Sequence, residues 1–145
     1  MKDVLKVAVV GVGVIGQMHI ACIAQAENME LVAVVEPNEE LGKQMAKEYG
    51  VQYIKSVDEL KDHPEIEAVN ICVPEEYHLS TAVACAEAGK HIALEKPIAK
   101  TVEEAVAIAE ACKKNNVKLL VEHTVHYVPE YRLMKNAYEE GQMGN

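Results

Sequence analysis

Apolar runs of four to seven residues alternate with longer stretches of helical spacing along the whole chain. The runs VLKVAVV (4–10), ELVAVVE (30–36), VQYI (51–54), EAVNICV (67–73), HIALE (91–95) and KLLVEHT (118–124) read as six strands. Between the first two, VIGQMHIACIAQA (14–26) sets Ile15, Met18, Cys22 and Ile23 at helical spacing. PNEELGKQMAKEYG (37–50) is a helix opened by Pro37-Asn38 and closed by Gly50. SVDEL (56–60) starts as a capping box, with Ser56 as the cap and Glu59 three residues on. HLSTAVACAEAG (78–89) is a helix with Gly89 past its end. Thr101 caps VEEAVAIAEACKKN, whose apolar face reads as Val102, Ala105, Val106, Ala109 and Cys112. A last helix runs from about Pro129 to Glu140 and ends at Gly141. Strands that are apolar nearly throughout, separated by amphipathic helices, predict a parallel sheet covered on both faces. Right-handed crossovers make it a doubly wound α/β sheet of Rossmann type, six strands in the order 3-2-1-4-5-6. One domain is expected over 1–145, with a core to residue 128 and a trailing helix at 129–141.

Three glycines stand where the first strand hands over to the first helix. Gly11 permits a tight turn, Gly13 has no Cβ to keep the backbone from a pyrophosphate, and Gly16 lets the helix lie close on the strand. Val14 and Ile15 open the helix, whose free N–H groups and partial positive charge suit phosphates. Glu36 ends the second strand 20 residues after Gly16, where an acid should hold the adenosine ribose. Such a turn in register with its strand, helix and acid points to a dinucleotide. The same features also occur in folds that bind S-adenosylmethionine. Glu36 would set a like charge against a 2′-phosphate, and no Lys or Arg follows it in EPNEE, so NAD is expected over NADP.

Composition narrows the remainder. Half of the 145 residues are hydrophobic and 26% are charged, as in a globular domain with a sizeable core. The formal net charge of −9, with no basic cluster among aromatics, argues against nucleic acid and anionic membrane surfaces. No apolar run approaches the ~20 residues of a membrane helix, and MKDVLKV does not open as a signal peptide. A cytoplasmic protein is expected. Cys22, Cys72, Cys85 and Cys112 lie far apart in apolar contexts and read as core thiols.

The turn G-x-G-x-x-G-x-x-H through His19, the strand end Cys72-Val73-Pro74 with His78 four residues on, and Glu95-Lys96-Pro97 together resemble a known family. This is the glucose-fructose oxidoreductase/inositol dehydrogenase (Gfo/Idh/MocA) family of nicotinamide-dependent sugar and polyol dehydrogenases. The resemblance covers the whole chain, including VPEYRLMKNAYEEGQMGN at its end. It implies hydride transfer between an alcohol and NAD. Lys96 would face the nicotinamide and orient the substrate hydroxyl, and the Lys96-Pro97 bond would be cis. Glu95 would support the loop or the cofactor, and Cys72, Val73, Pro74, His78 and Pro97 would line the cofactor site. For His78 the alternative is a solvent-facing helix start; for His19, packing and binding are both open. The resemblance also implies a second domain, roughly another 150–200 residues at ordinary domain sizes, carrying most of the substrate site and usually the catalytic His. That domain is expected to be absent from this chain, which alone would be inactive, and the full enzyme is expected to be a homo-oligomer.

The chain departs from the family pattern in two places. Glu75-Glu76 follow Pro74 where Thr or Asn is common, and Val125 and His126 stand where arginines often do. His123 and His126 could contact a substrate; without a clear third ligand no metal is expected. Two alternatives accompany the dehydrogenase reading: a net-redox-neutral enzyme of the same family, such as a glycosidase or epimerase, and a solitary NAD-binding regulatory module.

Overall fold

The structure is a computed structural model that describes residues 4–144. Strands β1 (Leu5–Val10), β2 (Met29–Val35), β3 (Gln52–Ile54), β4 (Ala68–Ile71), β5 (His91–Glu95) and β6 (Leu119–Glu122) form one sheet in the order β3-β2-β1-β4-β5-β6. Every pairing is parallel, as the uninterrupted apolar runs predict. Helices α1 (Val14–Ile23), α2 (Glu39–Tyr49), α3 (His78–Glu87), α4 (Val102–Lys114) and α5 (Pro129–Glu139) complete the chain. Successive residues of β1 serve opposite faces. Val7 and Val9 join Ile20, Ile23, Leu31, Val34 and Met45 under α1 and α2. Ala8 and Val10 join Val69, Ile71, Ile92, Leu94, Ile108 and Cys112 under α3 and α4. Both faces of the sheet centre are therefore dry, and the strand ends carry the polar groups.

Local chemistry sets the helix ends. Asn38 Oδ1 accepts from Leu41 N at 3.2 Å, and Gly50 closes α2 in a left-handed conformation. Thr101 Oγ1 accepts from Glu104 N at 3.2 Å. Ser56 forms the expected box, accepting from Asp58 N while Glu59 Oε1 accepts from Ser56 N. The box opens a 3-10 turn over Val57–Asp62. A second 3-10 turn, Thr124–Tyr127, occupies the stretch between β6 and α5.

The helix faces differ from the sequence reading at two places. In α1 the buried residues are Gly16, Ile20 and Ile23, while Ile15, Met18 and Cys22 are exposed. Gly16 decides this, because it alone can lie against the Gly11 carbonyl, and Ile20 and Ile23 share its face. In α4 the buried residues are Ile108 and Cys112, whereas Val102 is 73% exposed and Val106 and Ala109 are also outside. Alanines at 105, 107, 109 and 111 make the apolar period degenerate, so the bulk of Ile108 selects the face. The thiols divide likewise: Cys85 and Cys112 are core residues, Cys72 is half-buried and Cys22 is on the surface.

One part of the sheet is uncovered. The core under α1 and α2 includes no residue of β5 or β6, and Leu120 is 59% exposed. Helix α5 packs on the 124–127 turn and buries none of its described residues. Tyr131, Leu133, Met134 and Tyr138 are exposed.

Candidate functional site

The carboxyl ends of β1 and β2 build the first half of the site. Gly11 turns the chain at φ +84°, and its N–H donates to Val35 O at 2.8 Å. A Cβ on Gly16 would run into the Gly11 carbonyl oxygen, so this glycine is needed for helix-to-turn contact. A Cβ on Gly13 would meet nothing within 4 Å among the described residues, so this glycine leaves open surface over the turn. Gly13 is also the N-cap of α1, without a side-chain cap and without an acid in the first turn. α2 and α4, by contrast, are capped by their own side chains. An uncapped helix start beside an open glycine fits a phosphate oxygen as the missing acceptor.

Glu36 is the first residue past β2. Its Oε2 accepts from Val12 N and its Oε1 from Asn38 N, each at 3.0 Å. The carboxylate thus pins the glycine turn to the second strand, and each oxygen keeps a lone pair for an outside donor. Tyr53 supports it from β3 by donating its hydroxyl to Glu36 O at 3.0 Å. The Tyr53 ring occupies the space that a Cβ on Gly42 would fill. Tyr53 and Gly42 were not singled out in the sequence, where nothing marks one as the partner of the other.

The ends of β4 and β5 build the second half. Ile15, Cys72, Val73, Glu75, His78, Glu95, Lys96 and Pro97 surround a cavity of about 240 Å³. Pro74 opens the short 3-10 turn Glu75–Tyr77 beside it, and the Lys96–Pro97 peptide is cis, as the resemblance implies. Val14, by contrast, is 79% exposed at the start of α1 and does not line this cavity. His78 is 2% exposed, which excludes the solvent-facing alternative. Its Nδ1 is 2.8 Å from Pro97 O and its Nε2 3.1 Å from Val73 O. The ring ties the loop after β4 to the loop after β5.

Below this cavity a polar network links α1 to three strand ends. Asn70 Nδ2 donates to Glu122 Oε1 at 2.8 Å, and Asn70 Oδ1 accepts from Cys72 Sγ at 2.8 Å. The second Asn70 N–H then points at His19 Nδ1, 3.2 Å away, which must accept. That leaves the ring proton on Nε2, where it donates to Glu95 Oε1 at 3.2 Å. Glu95 Oε2 accepts from Lys96 N at 3.0 Å and lies 3.9 Å from Lys96 Nζ. His19 is thereby placed in a network rather than in simple apolar packing, and Glu95 bridges the His19 ring and the backbone of the loop at Lys96. Burial pushes the Cys72 thiol up; burial likewise raises Glu122, with neighbouring Glu95 adding to the shift while His19 and Asn70 oppose it. His19, Glu95 and Glu122 offer three ligand atoms within 4.8 Å of one another, a grouping that no sequence spacing announced. Asn70 and Glu122 carried a readable signal all the same, as polar residues inside apolar strands.

A larger cavity, about 580 Å³, opens on the other side of Lys96 and Pro97. His123, at the start of the 3-10 turn, and Thr124, Val125 and His126 within it wall one side, and Tyr131, Arg132 and Lys135 wall it from α5. The rings of His123 and His126 meet edge to face at 6.2 Å.

Comparison with known proteins agrees with this geometry. Residues 5–123 match the model of the oxidoreductase family with an NAD-binding Rossmann fold. Levoglucosan dehydrogenase of Pseudarthrobacter phenanthrenivorans is 34% identical over 97% of this chain and 38% of its own length. An oxidoreductase from Desulfitobacterium hafniense described as NADPH-dependent superposes with a TM-score of 0.92, at 27% identity, over 100% of this chain and 42% of that one. Scyllo-inositol dehydrogenase from Lactobacillus casei, solved with NAD(H) and scyllo-inositol, gives 0.89 at 27% identity, over 99% of this chain and 43% of that one. The chain spans 38–46% of the length of the curated relatives it matches. No helix among the described residues is long and apolar enough to cross a membrane. With its sheet order, glycine turn and strand-end acid on one edge, the chain belongs to the Gfo/Idh/MocA oxidoreductase family, of which it is the NAD-binding Rossmann domain.

Proposed function

We propose that the chain binds NAD(H) in preference to NADP(H) and serves a dehydrogenase acting on a sugar, polyol or related alcohol. The observation that carries this is the pairing of an open Gly13 at an uncapped helix start with Glu36, whose carboxylate is locked to the same turn. Gly11, Gly13, Val14, Ile15 and Gly16 would hold the pyrophosphate and Glu36 the adenosine ribose. Cys72, Val73, Pro74, His78, Glu95, Lys96 and Pro97 would line the nicotinamide side. When bound, the nicotinamide supplies the acceptor or donor of a hydride. Lys96 would hold the substrate hydroxyl and help move its proton. Glu95, itself held by His19, would keep the Lys96 backbone and ammonium in place. The bare β5–β6 face and the unburied α5 are consistent with a further part of the protein completing the substrate pocket.

The preference rests on charge. A ribose diol can donate to the free lone pairs of Glu36, whereas a 2′-phosphate brings like charge against it. Calorimetric titration of NADH and NADPH against the chain tests this. NADH should bind at least about tenfold tighter, ~1.4 kcal/mol, and Glu36→Ala should narrow the gap. Equal or tighter NADPH binding sinks the preference, and no binding of either sinks the function.

A further inference from the structure

The 580 Å³ cavity is chemically unlike the rest of the molecule. The chain carries 23 acidic and 14 basic residues, yet among the described residues no carboxylate lines this cavity. Lys96, Arg132 and Lys135 line it, with His123 and His126 beside them. Arg132 is the sole arginine of the sequence, and among the described residues it makes no ion pair. Among the described residues Lys135 pairs only with an exposed helical neighbour, Glu139, at 3.6 Å, and Lys96 only with Glu95 at 3.9 Å. A planar guanidinium without an ion-pair partner among the described residues, lining one cavity with two ammonium groups, is the arrangement that takes a carboxylate or phosphate oxygen by charge-assisted hydrogen bonds. Tyr131 and Val125 give the same cavity apolar wall for a carbon chain.

Position turns this into a statement about substrate. Lys96 and Pro97 are common to this cavity and to the smaller one that would take the nicotinamide. A molecule in the larger cavity is therefore beside the group that would hold the reacting hydroxyl. We propose that the substrate is an anionic alcohol, carrying a carboxylate or phosphate that seats on Arg132 and Lys135 while its hydroxyl carbon lies at Lys96. This rests on the dehydrogenase reading for the role of Lys96 and goes beyond it in the class of substrate. The cationic wall lies on α5 and the 124–127 turn, outside the glycine turn and Glu36, so it can be tested separately from cofactor binding.

Three probes of one carbon skeleton make the test: sorbitol, gluconate and sorbitol 6-phosphate, each titrated by calorimetry into the chain with and without NADH. At least one anion should bind about tenfold or more tighter than sorbitol, ~1.4 kcal/mol, and the margin should shrink as salt is raised. Arg132→Gln should remove most of that margin and leave NADH affinity and the circular dichroism spectrum unchanged. Lys135→Gln should remove a smaller part. The ranking of gluconate against the phosphate identifies which anion the cavity serves. Sorbitol binding as tightly as both anions, no binding of any probe, or an anion affinity indifferent to Arg132→Gln overturns the proposal. Failure of NADH to bind, with the anion margin and its dependence on Arg132 intact, would instead remove the dehydrogenase reading and keep the anion site.

Discussion

Glu122 Oε1 accepts from Asn70 at 2.8 Å, whereas its Oε2 is buried with no hydrogen-bond partner among the described residues and lies 3.7 Å from His19 Nε2. In the neutral tautomer, whose Nδ1 accepts from Asn70, the His19 ring proton is directed to Glu95, and the second Glu122 oxygen has the Glu95 carboxylate near it. Burial and Glu95 raise its pKa above the ordinary 4.5. A raised carboxyl pKa means the folded state holds a proton that the unfolded chain has released. The resulting loss of stability is absent below about 4.5, grows as pH rises from there through the folded pKa, and is complete above it. Glu122→Gln keeps the Asn70 contact and removes the charge. The variant should match the wild type near about pH 4 and exceed it by roughly 1 kcal/mol near about pH 8, as urea titrations at the two pH values will report. A difference that is the same at both pH values would mean that Glu122 does not titrate between them. Lys90 shows the opposite solution to burial: 4% exposed, its ammonium donates to His63 O at 2.6 Å and Ile66 O at 2.9 Å. Neither role is readable from residue type, because the sequence marks an acid in a strand or a lysine after a helix without saying which atoms meet it.

The first helix and its turn show how far an element can be read. Gly11, Gly13 and Gly16 were legible as a set because their spacing is tied to a strand before and a helix after. What each glycine does was legible only in part: Gly16 serves packing, Gly13 open surface. This separates two variants. Gly16→Ala must push the helix off the Gly11 carbonyl and should destabilise the fold by about 2 kcal/mol or more, in the manner of an overpacked core. Gly13→Val meets no protein atom at its Cβ and should leave the melting curve nearly unchanged while NADH affinity falls at least tenfold, about 1.4 kcal/mol. Thermal melts and NADH titrations of both proteins are the measurement. A destabilised Gly13→Val protein, or one with full NADH affinity, would reject the assignment. The faces of α1 and α4 were misread for a shared reason: exposed apolar residues at helical spacing look like core residues until a packing constraint fixes the rotation. Gly16 supplies that constraint in α1 and Ile108 in α4. The strands read better, because burial on both faces leaves no rotation to decide.

At the scale of the molecule, the sheet order followed from alternation of strand and helix with one rule of handedness, and the cofactor edge from where strands end. The larger cavity was out of reach of that logic. It depends on α5 folding back to the 124–127 turn, a contact that no spacing encodes, and on a lone arginine that shares the cavity with Lys96 and Pro97, 36 and 35 residues away in sequence. The cavity also shows what the chain lacks for turnover. Lys96 is 63% exposed, the β5–β6 face is bare on one side, and the tyrosines and methionine of α5 stand in solvent. Holding a reacting carbon against a nicotinamide can be worth ~7–11 kcal/mol, and only when water is excluded and the approach is fixed. A pocket walled on one side by a helix that buries none of its residues does not supply that fixation. The chain by itself should therefore bind NADH and yet show turnover far below the ~10 s⁻¹ of a typical enzyme. Following NADH absorbance with NAD and a panel of sugars, polyols and sugar acids checks it. Turnover near that rate would place a complete acid–base set within these 145 residues, and His123 and His126, which already line the cavity beside Lys96, would then be the groups to replace first.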